Sequence, residues 1–300
     1  MMKGLENMKI LIYKLIRKIK WKMYKIYYFI MNKKASKFKY VYGLNLESRR
    51  FPQIIVSMTT YPKRFEKIDL CLKSILRQSY KPDKIIIWLG SDTSEKLAKK
   101  TFDKYKKYGI EYVIDKDNNY YSHKKYIYAF KQYRNSIIVT LDDDLIYSKN
   151  TIKSLIKKYK KYPNSIIARR VHKITWNDNK INNYSNWIYE SFLMHKPTHE
   201  LLATTGAGTL FPPSAYKNED LDFNRIKEYA LFADDIWLKM MAVKNNVKVV
   251  WAGNFFQMPT EVNLEKNDTL SSVNVNENRN DKYIKKIMND FNLEKKDFFK

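Results

Sequence analysis

The chain has a single cysteine and no long apolar run, and both absences restrict what it can be. Cys71 is the only cysteine among 300 residues, so an intrachain disulfide is impossible and a reducing cytoplasmic setting suits the chain better than secretion. The longest uncharged apolar run in the first fifty residues is 26–31, whereas about 20 residues are needed to span a bilayer. Cations also interrupt the region where a cleaved signal peptide needs its apolar core.

Signatures of nucleic-acid binding are missing as well, although the net charge is +26. No zinc-finger spacing, basic zipper or RNA-binding aromatic motif accompanies the charge. Lys, Asn, Ile and Tyr are abundant together, which is typical of an AT-rich genome and accounts for part of the basic excess. We therefore expect no nucleic-acid partner.

Nearly half of the net charge lies in residues 1–50, which hold 14 cations and two acidic residues, a net +12 of the total +26. A helix through this segment would gather a set of apolar side chains on one face, because they recur at three- and four-residue steps; they are Met8, Ile12, Leu15, Ile16, Ile19, Met23, Ile26 and Ile30. A basic amphipathic helix of this kind suits the surface of an anionic membrane. We expect a peripheral attachment on the cytoplasmic side of the plasma membrane; packing of this helix on the protein's own core is the alternative.

From residue 51 onward, short β-rich runs alternate with helical stretches. Strands are predicted at 53–60, 84–90, 110–114, 136–141 and 165–171, and helices at 64–78, 94–107 and 122–133, with a further helix capped by Asn150. This alternation is typical of an α/β domain whose mostly parallel sheet is covered by helices on both faces. We assign residues 51–262 to one domain, since no repeat or low-complexity linker divides them, and 263–300 to a polar loop and a short helix at 282–291.

Three consecutive carboxylates, Asp142, Asp143 and Asp144, follow the predicted strand at 136–141. Ligands of parallel sheets bind at the carboxyl ends of the strands. Adjacent carboxylates repel one another, and a divalent cation relieves that repulsion. Because Mg²⁺ and Mn²⁺ prefer carboxylate, water and phosphate oxygens, the triplet predicts a site for a metal and a diphosphate. A solvated turn that caps the next helix is the competing interpretation.

Six blocks in a fixed order resemble those of bacterial GT-A glycosyltransferases, especially the family-two-like enzymes of capsule and lipopolysaccharide synthesis. They are "QIIVSMTTYPKRF", "SILRQSYKPDKIIIWL", "SHKKYIYAF", "IIVTLDDDLIY", "TTGAGTLFPPSAY" and "ADDIWLKMMA", and they extend over residues 53–251. The resemblance implies a Rossmann-like GT-A fold and transfer of a sugar from a nucleotide-diphosphate sugar to a saccharide or lipid-linked acceptor.

The resemblance also implies roles for particular residues. Asp142 and Asp144 match the outer aspartates of the family's DxD motif, which holds Mn²⁺ or Mg²⁺ and the donor, and Asp143 is its middle position. Thr59, Thr60, Tyr61 and Arg64 match the loop that meets the nucleotide. Lys125 matches a basic residue near the donor, with Lys124 as its competitor, and Gly206 and Gly208 match a glycine-containing loop that lines the cleft.

The second acidic pair, Asp234 and Asp235, matches the position of the general base in inverting members of the family. An acceptor hydroxyl must lose its proton as it attacks the anomeric carbon, and a carboxylate within hydrogen-bond reach can take that proton. The second residue, Asp235, is the usual base, but the family has Glu-Asp where this chain has Asp-Asp, so Asp234 stays open. A pair that only stabilises a helix start is the alternative.

Two other functions remain possible from the residues alone. A Mg²⁺-dependent phosphotransferase or phosphatase would use the aspartate triplet without the second pair. A non-catalytic basic protein that binds membranes or nucleic acid would need neither.

Overall fold

The computed structural model describes residues 16, 19, 22–47, 49–192, 194–253, 258–262 and 278–300. The predicted apolar positions Met8, Ile12 and Leu15 and most of the predicted loop, 263–277, lie outside these residues. No helix among the described residues is long and apolar enough to cross a membrane.

Eight helices and thirteen strands make up the described part of the chain. The helices are α1 (22–35), α2 (Asp69–Leu76), α3 (Glu95–Lys106), α4 (Lys124–Gln132), α5 (Thr151–Lys161), α6 (Phe223–Ala230), α7 (Asp234–Lys244) and α8 (Arg279–Asp290). The strands are β1 (Ile54–Thr59), β2 (Lys84–Leu89), β3 (Ile110–Ile114), β4 (Ile137–Leu141), β5 (Leu145–Ile146), β6 (Ile166–Ala168), β7 (Val171–Lys173), β8 (Trp176–Asn177), β9 (Lys180–Ile181), β10 (Leu201–Ala203), β11 (Thr209–Phe211), β12 (Val249–Trp251) and β13 (Thr260–Glu261).

Seven strands form the central sheet, in the order β12–β6–β11–β4–β1–β2–β3. β11 runs antiparallel to both of its neighbours, whereas the other pairs are parallel. Alternate residues of β1 point to opposite faces, so Ile54 and Val56 join a core under α2, α3 and α5, and Ile55 joins a core under α4 and α7. The predicted mostly parallel sheet with helices on both faces is confirmed.

Several boundaries differ from the predictions for local reasons. The predicted strand at 165–171 is divided into β6 and β7 by Arg169 and Arg170, and the predicted helix at 64–78 becomes regular only at Asp69, after a 3₁₀ turn at Pro62–Arg64. Asn150 precedes α5 but makes no side-chain cap. Its Oδ1 accepts a hydrogen bond from the Ser79 hydroxyl instead, so the predicted capping role was wrong.

Candidate active site

The site forms where β1 and β4 end, because these strands are parallel neighbours in the centre of the sheet. Ser57 pairs in register with Thr140, and Met58 pairs with Leu141. The residues that follow the two strands, Thr60 and the aspartate triplet, therefore emerge at the same edge. This edge is the carboxyl edge predicted from the sequence.

Each aspartate of the triplet contacts a cation. Lys125 Nζ lies 2.8 Å from Asp142 Oδ1. Arg64 Nη1 lies 2.5 Å from Asp143 Oδ1 and 3.0 Å from Asp144 Oδ2. The middle side chain is buried, whereas those of Asp142 and Asp144 are partly exposed. Only the two outer carboxylates are thus open to a ligand at the cleft.

Gly206 lies against the first aspartate and leaves no space for a side chain. A Cβ at this position would come within 1.5 Å of Asp142 Oδ2. The Asp142 backbone N–H donates to the Gly206 carbonyl at 3.1 Å, and the buried Tyr147 hydroxyl donates to the same carbonyl at 2.6 Å. Gly208 has a φ of +102°, which favours glycine, so this loop needs both glycines for its course beside the triplet.

Asp234 and Asp235 begin α7 and face the same cleft. Lys125 Nζ lies 2.9 Å from Asp234 Oδ2, so this buried ammonium group bridges the triplet and the second pair. Thr205 donates its backbone N–H to Asp235 Oδ1 at 2.8 Å. The Thr205 hydroxyl lies 2.7 Å from Asp235 Oδ1 and 3.0 Å from Asp234 Oδ2. The structure therefore brings the two predicted acidic clusters together around one lysine.

The two members of the second pair differ in proton affinity. Burial acts to raise the pKa of Asp234, but the Lys125 ammonium outweighs it and lowers that pKa to about 2. Burial and the ionised Asp234 neighbour raise the pKa of Asp235 to about 6, against the opposing effect of Lys125. Burial would lower the pKa of Lys125, yet Asp142 and Asp234 raise it. Lys125 and Asp234 thus stay ionised at neutral pH, and Asp235 is the stronger base of the pair.

The remaining residues of the predicted site differ in whether their side chains are available at the cleft. Lys124 makes no ion pair with the triplet within the described residues and donates to Asn119 Oδ1 at 2.8 Å. The Thr59 hydroxyl donates to the Trp88 carbonyl at 2.8 Å, and the half-exposed Tyr61 ring packs against Arg64. Lys125 is therefore the lysine of the cleft, and Tyr61 is the exposed side chain of the predicted nucleotide loop.

Some residues of the cleft were not predicted from the sequence. Arg170 is one of them. Burial acts to lower its pKa, but nearby carboxylates, those of Glu190, Asp142 and Asp235, raise it, so this guanidinium lies near both acidic clusters. Its position directly after the apolar run of β6 is the sequence signal that could have identified it. Thr205 stands beside Gly206 in "TTGAG" but carries no sequence signal for a contact with α7.

His123 connects the elements that carry Lys125 and the second pair. Its Nε2 lies 3.1 Å from the Ala230 carbonyl oxygen and 3.0 Å from that of Leu231, at the end of α6. The ring is fully buried, and burial lowers its pKa. A neutral ring with its proton on Nε2 makes these contacts and holds the start of α4 against the turn that leads into Asp234.

Asp142 and Asp144 fit a divalent cation, but only together with a ligand that brings further oxygens. No group of three or more His, Cys, Asp or Glu side chains in the described part of the chain is arranged to hold a metal. Mg²⁺ often takes one or two carboxylates and completes its shell with water and phosphate oxygens. Burial and the Asp142 carboxylate raise the pKa of Asp144 to about 6, and the opposing effect of Arg64 does not cancel them.

The family model described as Glycosyl transferase family 2 matches residues 55–219, more than half of the chain. No curated protein matches. Among solved structures, S. aureus TarS 1–349 in complex with UDP is 15% identical over 69% of this chain and 60% of that chain, with a TM-score of 0.47. The mannosyltransferase PcManGT from Pyrobaculum calidifontis, in complex with GDP-Man and Mn²⁺, is 14% identical over 82% of this chain and 66% of that chain, with a TM-score of 0.44.

The chain spans about 60% of the TarS chain that it matches. The matched residues 55–219 include β1, the aspartate triplet and the Gly206 loop, and α7 adds the second acidic pair at the same cleft. On the family match, and with a GT-A-like sheet covered on both faces, the chain belongs to glycosyl transferase family 2.

Proposed function

We propose that this protein transfers a sugar from a nucleotide-diphosphate sugar to a hydroxyl group of a saccharide or lipid-linked acceptor. The observation that carries the proposal is the position of Lys125, whose Nζ lies 2.8 Å from Asp142 and 2.9 Å from Asp234. A donor-binding carboxylate and a candidate base pair lie on two sides of one buried cation. A sugar between them would have its diphosphate toward the triplet and its anomeric carbon toward α7.

Asp235 is the proposed general base. Two hydrogen-bond donors of Thr205 meet its Oδ1, so Oδ2 is the oxygen assigned to the acceptor proton. A base whose pKa is about 6 is largely ionised at neutral pH and accepts a proton more readily than an ordinary aspartate. Asp234, held ionised by Lys125, keeps that pKa high through its negative charge and orients the pair.

Asp142 and Asp144 would hold Mn²⁺ or Mg²⁺ together with the donor's diphosphate. When bound, such an ion draws negative charge from the departing nucleoside diphosphate. Arg64 already contacts Asp144 and would lie near the same phosphates, where a guanidinium forms strong charge-assisted hydrogen bonds. Tyr61 is exposed beside Arg64 and is assigned to the nucleotide together with its neighbours Thr59 and Thr60, of which Thr60 is buried.

The finer predictions from the sequence remain part of the proposal. They are inversion at the anomeric carbon, a role in capsule or lipopolysaccharide synthesis, and work at the cytoplasmic face of the plasma membrane. Direct attack by an acceptor that Asp235 activates would give inversion. The phosphotransferase alternative has no use for Asp235 and its Thr205 contacts, so we do not favour it.

A thermal-shift screen of nucleoside diphosphates and nucleotide sugars with and without Mn²⁺ tests the donor half of the proposal. A ligand at about 100 times its Kd stabilises the folded state by about 2.7 kcal/mol, which a melting curve resolves. We expect a metal-dependent shift that Asp144→Asn abolishes and Asp235→Asn retains. Asp178→Asn, an exposed change in the β8–β9 turn, is the matched control.

Transfer and donor hydrolysis measured on the same variants test the catalytic half. Asp235→Asn should lower transfer at least about 100-fold, as expected for loss of a general base, with the nucleotide shift intact. Full activity of purified Asp235→Asn would refute the assigned base. A metal-dependent shift that survives in Asp144→Asn would refute the assigned metal ligand.

A further inference from the structure

Helix α1 has two chemically different faces. Tyr24, Met31, Asn32 and Ala35 are half-buried or buried against the body of the protein. On the opposite side, the apolar residues Met23, Ile26 and Ile30 are exposed to solvent, with Phe29 beside them. The helical residues Ile16 and Ile19, which precede α1, continue the same three- and four-residue spacing and are also exposed. The predicted apolar face is thus present in the described residues, but it points outward. The helix does pack on the body of the protein, but through its other face, so the apolar side chains of the predicted face are the ones left exposed.

The inner face of α1 lies at the edge of the catalytic cleft. Asn32 Nδ2 donates to the Glu261 carbonyl at 3.2 Å, and burial together with the Glu261 carboxylate raises the pKa of Tyr24 to about 12. Glu261 belongs to β13, which pairs with β5, and Val262 N–H donates to the Asp144 carbonyl at 2.8 Å. Only one short strand therefore separates α1 from the aspartate triplet.

The outer face has more exposed apolar surface than a solvated helix needs. Ile26 is 64% exposed, Phe29 is 68% exposed and Ile19 is 54% exposed. Lys22, Lys33 and Lys34 are exposed on the same helix. Exposed apolar side chains interspersed with lysines match the chemistry of an anionic bilayer, whose acyl chains take the apolar side chains and whose headgroups take the ammonium groups at the ends of the flexible lysine side chains.

We propose that an outer face, defined by Met23, Ile26, Phe29 and Ile30 of α1 together with Ile16 and Ile19 before it, docks on an anionic membrane and holds the mouth of the catalytic cleft at that surface. A helix with its side chains is about 10–12 Å across, so β13 and the triplet behind it lie close to the plane of the headgroups. The consequence for catalysis rests on the proposed function: the acceptor is then a saccharide carried on a membrane lipid and not a free one. The docking itself stands independently of catalysis.

Binding of the full chain to vesicles tests the docking face. We expect sedimentation with vesicles of phosphatidylglycerol and phosphatidylcholine, weaker binding as salt rises, and little binding to phosphatidylcholine alone. The double variant Ile26→Asp/Phe29→Asp should bind at least about 30-fold more weakly, because two exposed apolar side chains lose their burial in lipid. Leu46→Asp/Phe51→Asp is the matched control, since these aliphatic and aromatic side chains are 80% and 85% exposed elsewhere on the protein.

Three results would overturn the docking face. The first is wild-type binding by the Ile26→Asp/Phe29→Asp variant, and the second is an equal loss in the control. The third is a wild type that self-associates but does not bind vesicles, with the self-association lost in this variant. That result would mean that a second copy of the chain, and not a membrane, covers the face. A thermal melt and the nucleotide shift of each variant establish that it is folded and keeps its donor site.

Single cysteine labels test the orientation of the cleft, because Cys71 is fully buried and an introduced thiol can be labelled selectively. On vesicles, a polarity-sensitive dye at Phe29→Cys should report an apolar environment. The fluorescence of a dye at Val262→Cys should become less quenched by iodide, and that of a dye at Phe51→Cys should not change. An unchanged Val262 label beside a buried Phe29 label would overturn the placement of the cleft. Asp235→Asn should bind vesicles as the wild type does, so a failure of the catalytic proposal is distinguishable from a failure of this one.

Discussion

Replacement of Lys125 by methionine removes the one charge that connects the two acidic clusters. The Lys125 side chain is 4% exposed and contacts Asp142, which is 35% exposed, and Asp234, which is 14% exposed. Methionine keeps the length of the apolar stem but not the ammonium group. Two carboxylates then face each other across the cleft without a cation between them.

The expected cost follows from the burial of the two partners. Loss of one member of a buried ion pair typically costs about 3–5 kcal/mol, because the other charge is left uncompensated. Asp142 can regain water, whereas Asp234 cannot, so the lower end of this range applies. We expect Lys125→Met to lower the free energy of unfolding by about 3 kcal/mol at pH 7.

The loss should shrink as the pH falls. In the wild type, Lys125 lowers the pKa of Asp234 to about 2, below the usual pKa of an aspartate. The ion pair therefore stabilises the folded state at pH values above that usual pKa, and this contribution is lost as the pH falls toward 2. In the variant, burial without the cation raises the pKa of Asp234, and protonation then removes the uncompensated charge. Urea unfolding followed by tryptophan fluorescence at pH 7 and pH 5 measures the difference.

Lys124→Met is the matched control, since Lys124 is also buried but donates to the Asn119 side chain and interacts with the Asp92, Asp143 and Asp115 carboxylates only at longer range. A single hydrogen bond contributes about 1 kcal/mol, so this variant should lose no more than that. A Lys125→Met protein within 1 kcal/mol of the wild type at pH 7, or a loss that does not shrink at pH 5, would refute the assignment of Lys125 as the electrostatic link.

Two further changes test the base and the loop. The transfer rate should fall as the pH drops below 6, because Asp235 becomes protonated there. Thr205→Val should raise the pH at which this fall occurs by about 0.5–1 unit, because the lost hydroxyl no longer stabilises the ionised carboxylate. Thr205→Ser should restore the wild-type pH profile, and an unchanged profile in the valine variant would exclude this coupling. Gly206→Ala should lower stability by about 1–3 kcal/mol and weaken the metal-dependent nucleotide shift, because its Cβ would displace the Asp142 carboxylate. Gly90→Ala, whose nearest neighbour is the movable Asn119 side chain at 3.0 Å, should keep the shift; equal behaviour of both alanine variants would contradict the steric argument.

The sequence by itself determined the α/β architecture and the edge at which the site lies. Strand β4 is an apolar run, interrupted only by Thr140, that ends directly before Asp142, and a run of that kind is typical of a strand covered on both faces, which places the triplet at a carboxyl edge. The block "ADDIWLKMMA" also drew attention to Asp234 and Asp235, which begin α7, although residues 236–243 of that helix are all buried and show no amphipathic pattern. These features depend on residues that are close in sequence.

The tertiary structure alone decided which charges meet. Lys124 and Lys125 are adjacent and chemically identical, and only the docking of α4 between β1 and α7 sends Lys125 to Asp142 and Asp234. The antiparallel β11 gave no periodic signal because it is three residues long, yet it carries the Gly206 loop to the triplet. The same holds for α1, whose apolar stripe was visible in the sequence but whose outward direction was set by the packing of Tyr24 and Asn32 beside Glu261, contacts that span more than 200 residues of chain.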